Sequence, residues 1–156
     1  MNTSFTDAAR ALLEGAGWTP CRRVDVAELV GDMRAVGFDV SDAAVDFLEE
    51  FSQLRISHAP SIMMGEREIF CWTEFDPARV CTERDARIAN RCSELVGESL
   101  CPVGTDGFHF TVYISAGRKF YAGMDASVYS YSGDAGELFS LMAVGVRPQH
   151  LADWRV

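Results

Sequence analysis

The chain has 156 residues, 48% of them hydrophobic, with ten Phe and three Trp, enough for one domain whose core needs no disulfide or metal staple. Its formal net charge of −9 excludes the basic footprint that a nucleic-acid backbone requires and disfavours an anionic membrane surface. The acid is unevenly spread: residues 1–78 hold six Arg against fourteen Asp and Glu, whereas residues 79–156 hold eight Lys and Arg against nine. Such a front half suits a basic partner through steering and complementarity, and surface charge also serves solubility.

The start, Met1-Asn2-Thr3-Ser4-Phe5-Thr6-Asp7, has no basic n-region and no apolar run, so it does not read as a signal peptide. No window approaches the length of a membrane span. Five cysteines, Cys21, Cys71, Cys81, Cys92 and Cys101, are an odd set without close spacing. A disulfide framework would normally show an even count, so the expectation is a cytoplasmic protein with reduced thiols.

Ser4 or Thr6 is placed to cap a first helix through Glu14, ended by Gly15 and Gly17. Asp25 with Glu28 predicts a capping box for a second helix, where Val26, Leu29, Val30, Met33 and Val36 recur at helical spacing before Gly37. Ser41 starts a third, whose stripe is Ala44, Phe47, Leu48 and Phe51. Leu54 to Ser57 alternates as a strand, Ala59 to Gly65 reads as a loop, and Ile69 to Phe75 as the next strand. Thr82 with Asp85 caps a fourth helix that ends at Gly97. Short β runs follow at 100–103, 108–114, 119–124 and 127–132. Gly104 to Gly107 forms a turn and Ser115 to Arg118 a hairpin turn. Ser132 or Asp134 precedes a last helix closed by Gly145. Helices, then an antiparallel sheet interrupted by one helix, then a helix is an α+β order. Trp18, Phe47, Leu48, Phe51, Phe70, Val112 and Leu138 are the expected core.

Chemistry is sparse. His58, His109 and His150 have no helical i,i+4 pairing and no cysteine at zinc spacing, so neither metal nor cofactor is expected. A Cys71 nucleophile with His58 or His109 would need an activated thiolate, but the Ile-Phe-Cys-Trp context predicts a buried, inert thiol. Gly104 to Gly107 lacks the Lys and the following helix of a phosphate loop. One cluster goes beyond ordinary patterning. Asp39, Asp42, Asp46, Glu49 and Glu50 fall in one sector of the third helix, opposite its apolar stripe, with Arg55 as the only cation foreseen to offset them. Like charges at i,i+4 destabilise a helix, and acids at its C-terminus oppose the dipole. The cluster is therefore a partner-binding candidate as well as a solvated face. Arg22 or Arg23 is placed to pair with a carboxylate and lock the approach to the second helix.

Gly17-Trp18-Thr19-Pro20, then Arg22-Arg23-Val24-Asp25, a helix, Gly37-Phe38 and the segment Ala44 to Leu54 resemble the N-terminal half of the SUKH superfamily, specifically its third bacterial immunity family. Phe75-Asp76-Pro77-Ala78 is similar to its middle Asp-Pro motif. Leu95-Val96-Gly97 and Leu100-Cys101-Pro102-Val103-Gly104 are similar to its Leu-Gly and Pro-Val-Gly pair. A hairpin with Gly117 to Tyr121 and a short helix ending in Gly145 complete the likeness. Ser52, Cys21, Val96 and the acid-free stretch Tyr113 to Ser115 depart from the pattern.

The resemblance implies a single SUKH-like α+β domain over residues 1–156, with helices packed on one antiparallel sheet. It implies no catalytic residue and no cofactor. The implied role is to bind and neutralise a bacterial polymorphic toxin, a class that includes nucleases and deaminases, by occluding its active site or substrate path. The partner is then a protein with a basic surface, neither nucleic acid nor membrane, and the docking residues are Asp39, Asp42, Asp46, Glu49 and Glu50. A non-toxin interaction adaptor stays open as an alternative, as does a small thiol enzyme using Cys71 or Cys101. Oligomeric state is not read from the sequence.

Overall fold

A computed structural model describes residues 3–155, with side chains for all of these but 60–62. Among these residues five helices, α1 (Asp7–Gly15), α2 (Ala27–Ala35), α3 (Asp42–Phe51), α4 (Glu83–Val96) and α5 (Ala135–Val144), accompany seven strands. The strands are β1 (Arg55–Met64), β2 (Arg67–Glu74), β3 (Leu100–Asp106), β4 (Thr111–Ser115), β5 (Phe120–Met124), β6 (Ser127–Ser132) and β7 (Gln149–Asp153). They form one antiparallel meander in chain order, β1 to β7, with a single 3₁₀ turn at Pro77–Val80. This is the expected α+β fold.

Most helix ends follow from local side-chain chemistry. Thr6, Ser41, Thr82 and Asp134 each accept a backbone N–H from the first turn of α1, α3, α4 and α5, and Thr82 with Asp85 closes a reciprocal capping box. Gly97 and Gly145 take the left-handed conformation that ends α4 and α5. The box expected from Asp25 and Glu28 does not form. Asp25 Oδ1 instead accepts from Ala27 N two residues on, and Val26 takes the cap position without a side-chain bond.

The strands depart further from expectation. The predicted loop from Ala59 to Gly65 is mostly strand: β1 runs on to Met64, with a register shift between His58 and Ser61, and turns back at Gly65. Gly104 to Asp106 belongs to β3, and the turn falls after it, where Asp106 Oδ1 accepts from Phe108 N and Phe110 N. Gly104 is needed because a Cβ there would collide with the Glu74 carbonyl oxygen. β7 was not foreseen.

Pairing partners share a face of the sheet, so Val112, Ala122, Ile114 and Phe120 point one way and Thr111, Gly123, Tyr113 and Tyr121 the other. The first face packs on aromatic helices. Phe47 lies 5.1 Å from Phe120 and 4.8 Å from Phe51, and Phe51 lies 4.9 Å from Phe139 of α5 (ring centroids). The second face is covered by α4, whose buried residues are Ala86, Ala89 and Cys92. A Cβ on Gly123 would stand 2.9 Å from Tyr113 Cε2 and 3.6 Å from Cys92 Sγ, so the absent side chain is what lets α4 close on the sheet. Trp18, Phe47, Leu48, Phe51, Val112 and Leu138 are buried as expected. Phe70 is not: it is 53% exposed on the β1–β2 hairpin, beside exposed Met63, Met64 and Ile69, because β3 pairs with β2 only at Thr73 and Glu74 and the hairpin runs on past the layered part of the sheet.

Candidate functional site

The segment 17–25 is a strap laid along the C-terminal end of α3. Gly17, at φ 98°, turns the chain out of α1. Trp18 is buried edge-on against Phe5, 5.4 Å between ring centroids, and its Nε1 donates to Glu50 Oε1 at 3.1 Å. Arg22 donates from both terminal nitrogens, to the Glu50 and Ser52 carbonyl oxygens, at 2.7 Å each. A cation on the last, otherwise unpaired carbonyls of a helix satisfies them and complements the dipole. Val24 N donates to the Glu49 carbonyl at 2.7 Å. The carboxylate pairing expected of Arg22 or Arg23 is made by Arg23, with Glu49, while Arg22 fastens the strap to the carbonyl oxygens at the end of α3.

The five acids do not act as one bare patch. Asp39 lies ahead of the Ser41 cap, outside the helix, and accepts from Ser99 Oγ at 2.7 Å. Asp42 is exposed in the first turn. Asp46 pairs with Arg118 of the β4–β5 turn at 2.7 Å, and Glu49 with Arg23 of the strap at 2.9 Å. Glu50 holds Trp18. Arg55, the cation foreseen as their offset, lies instead over the Trp72 ring, 4.4 Å from its centroid. The sequence placed Arg22 or Arg23 against a carboxylate without tying it to this cluster and did not point to Arg118, because both cations reach α3 only through the folded strap and hairpin.

Between strap, α3 and the β4–β5 turn lies a groove of about 670 Å³. Arg23, Asp46, Glu49 and Arg118 line its charged sides, Phe47, Phe51, Ile114 and Phe120 its apolar floor, and Cys21 its rim. The ion pairs are solvent-exposed, and such pairs contribute about 0–1 kcal/mol each. These pairs therefore add little to the stability of the fold.

His58 and Cys71 do come together, opposite each other on β1 and β2, but without activation. His58 is buried and both ring nitrogens are engaged, Nδ1 with the Ala59 carbonyl at 2.6 Å and Nε2 with Thr73 Oγ1 at 2.8 Å. Desolvation lowers its pKa despite the Ala59 bond. Burial, assisted by the Asp106 carboxylate, pushes the Cys71 thiol up to about 11, and burial takes Cys101 to about 12. A nucleophilic cysteine needs the opposite shift. Among the described residues no group of three or more His, Cys, Asp or Glu is placed to hold a metal ion, and no helix is long and apolar enough to cross a membrane.

The model of the SUKH-3 immunity protein family matches residues 5–142, from the Phe5 that packs on Trp18 to Met142 in the core of α5. The chain belongs to the SUKH-3 immunity protein family. No curated protein and no solved structure matches it. The match takes in the strap, α3 and the β4–β5 turn, so the groove's charged sides and aromatic floor lie inside the SUKH-3 region, while Thr3 and Ser4 at its edge, the last residues of α5 and β7 fall outside it.

Proposed function

We propose that this SUKH-3 chain binds a protein toxin and neutralises it by occluding its active site or substrate path. The observation that carries this reading is the family match over most of the chain. Binding rather than catalysis is further supported by thiols raised, not lowered, by burial. The proposed docking face is the groove with its α3 acids, Asp42, Asp46, Glu49 and Glu50, and Asp39 at the approach to the helix. A basic toxin face fits there, and toxins that act on nucleic acid, nucleases or deaminases, carry such a face to hold phosphates. Five unpaired cysteines suit the reducing cytoplasm as the place of action.

Capture of partners from native lysate, identified by mass spectrometry, tests the role: a toxin is expected, and a cellular protein without toxic activity in its place would make the chain an adaptor. The face is tested by changing Asp42, Asp46 and Glu49 to Lys. Association with the captured toxin should slow by at least about tenfold at low salt, and the salt dependence of the on-rate should shrink. Unchanged rates in a folded variant would move the interface off α3.

A further inference from the structure

The opposite face of the molecule carries a feature that the toxin-binding groove leaves unexplained. Along α4, Arg84, Ile88, Arg91 and Leu95 recur at i, i+4, i+7 and i+11, one stripe on one side of the helix. Arg84, Arg91 and Leu95 are exposed and Ile88 is half-buried. Among the described residues, Arg84, Arg91 and the neighbouring Arg87 make no ion pair, in a chain with 23 acids for 14 cations. Arg84 also stands in the first helical turn, where a cation opposes the dipole, so it is not there for the helix.

The stripe borders a cleft of about 430 Å³ on the tyrosine face of the sheet. Ile88, Met124 and Trp154 give it apolar walls, Arg84 and His109 line it as well, and Asp125 is its one carboxylate. Arg84 at the apolar walls of the cleft, with Arg91 further along the same stripe, is complementary to negative charge beside an apolar group. We propose that α4 and this cleft form a second docking surface, for an acidic protein segment that seats one large apolar side chain between Ile88 and Trp154. A nucleic acid fits worse, because the net charge of −9 repels an extended polyanion along its whole length, whereas a short segment seated against Arg84, Arg87 and Arg91 meets the acids of α4 and Asp125 only over its own few residues. The surface lies across the sheet from the toxin groove, and the inference does not depend on the toxin reading.

The test titrates the full-length ¹⁵N-labelled protein with a capped peptide of alternating Asp and Glu carrying one central tryptophan. The Trp154 indole N–H and the amides of Arg84, Ile88 and Gly123 should shift and saturate together. Replacing the peptide's tryptophan by alanine should weaken binding by about tenfold or more, since a buried aromatic anchor dominates such a contact. The double variant R84E/R91E should weaken it by at least about tenfold with its spectrum otherwise folded. Binding undiminished in that variant, shifts confined to the α3 groove, or equal binding of a lysine-based peptide would overturn the proposal. So would a single-stranded oligonucleotide that binds the stripe more tightly than the peptide, or self-association through α4 that R84E/R91E abolishes while the peptide has no effect.

Discussion

The two faces of the sheet are covered by helices of opposite build. On one, α3 and α5 press large rings, Phe47, Phe51 and Phe139, onto Phe120 and Phe75. On the other, α4 brings only Ala86, Ala89 and Cys92 and comes close because Gly123 has no side chain. The aromatic face buries the large rings Phe47, Phe51, Phe75, Phe120 and Phe139, each of which contributes more apolar area than the alanines of α4. On α3, Asp46 and Glu49 are paired with Arg118 and Arg23, whereas among the described residues Arg84, Arg87 and Arg91 of α4 make no ion pair.

Truncation of Phe51, 1% exposed and in ring contact with Phe47 and Phe139, should have the largest effect. F51A is expected to cost about 3–5 kcal/mol in denaturant unfolding. The thin face should break in the reverse way, by addition. G123A puts a methyl against Tyr113 and should cost about 1–3 kcal/mol, and a variant as stable as the parent would mean that α4 is not held close. Next comes the far end of the aromatic face, where His58 is buried with Asp106 and Arg147 as its charged neighbours. Its folded pKa lies below 6.5, so the unfolded chain takes up the proton first. His58 then contributes stability that is fully present above pH 6.5 and is lost as pH falls through the window below it. The unfolding midpoint should decline there, and H58Q should flatten that slope; a slope identical in the two proteins would remove His58 as its source. The smallest change is expected for F70S, on the uncovered hairpin, within about 0.5 kcal/mol. A loss close to that of F51A would show that the hairpin is covered in solution.

What the sequence determined by itself was local. The caps of α1, α3, α4 and α5 and the glycines that end α4 and α5 join residues three or four apart, so spacing alone reveals them. The apolar stripe of α3 was legible for the same reason, and the order of motifs was enough to identify the SUKH-3 family. The Asp25–Glu28 box failed because Asp25 satisfied a nearer N–H. Tertiary structure decided the rest. Phe70 sits in as apolar a run as any core strand, but burial needs a second layer, and among the described residues the β1–β2 hairpin runs out beyond β3 with its apolar side chains exposed. β1 was hidden beyond Ala59 and β7 altogether, because strands are held by partners rather than by their own pattern. The charge balance of the groove rests on Asp46 with Arg118 and Glu49 with Arg23, and the unpaired arginines of α4 flank a cleft walled by Trp154. Those residues lie far apart along the chain, and only the closed fold brings charge to charge.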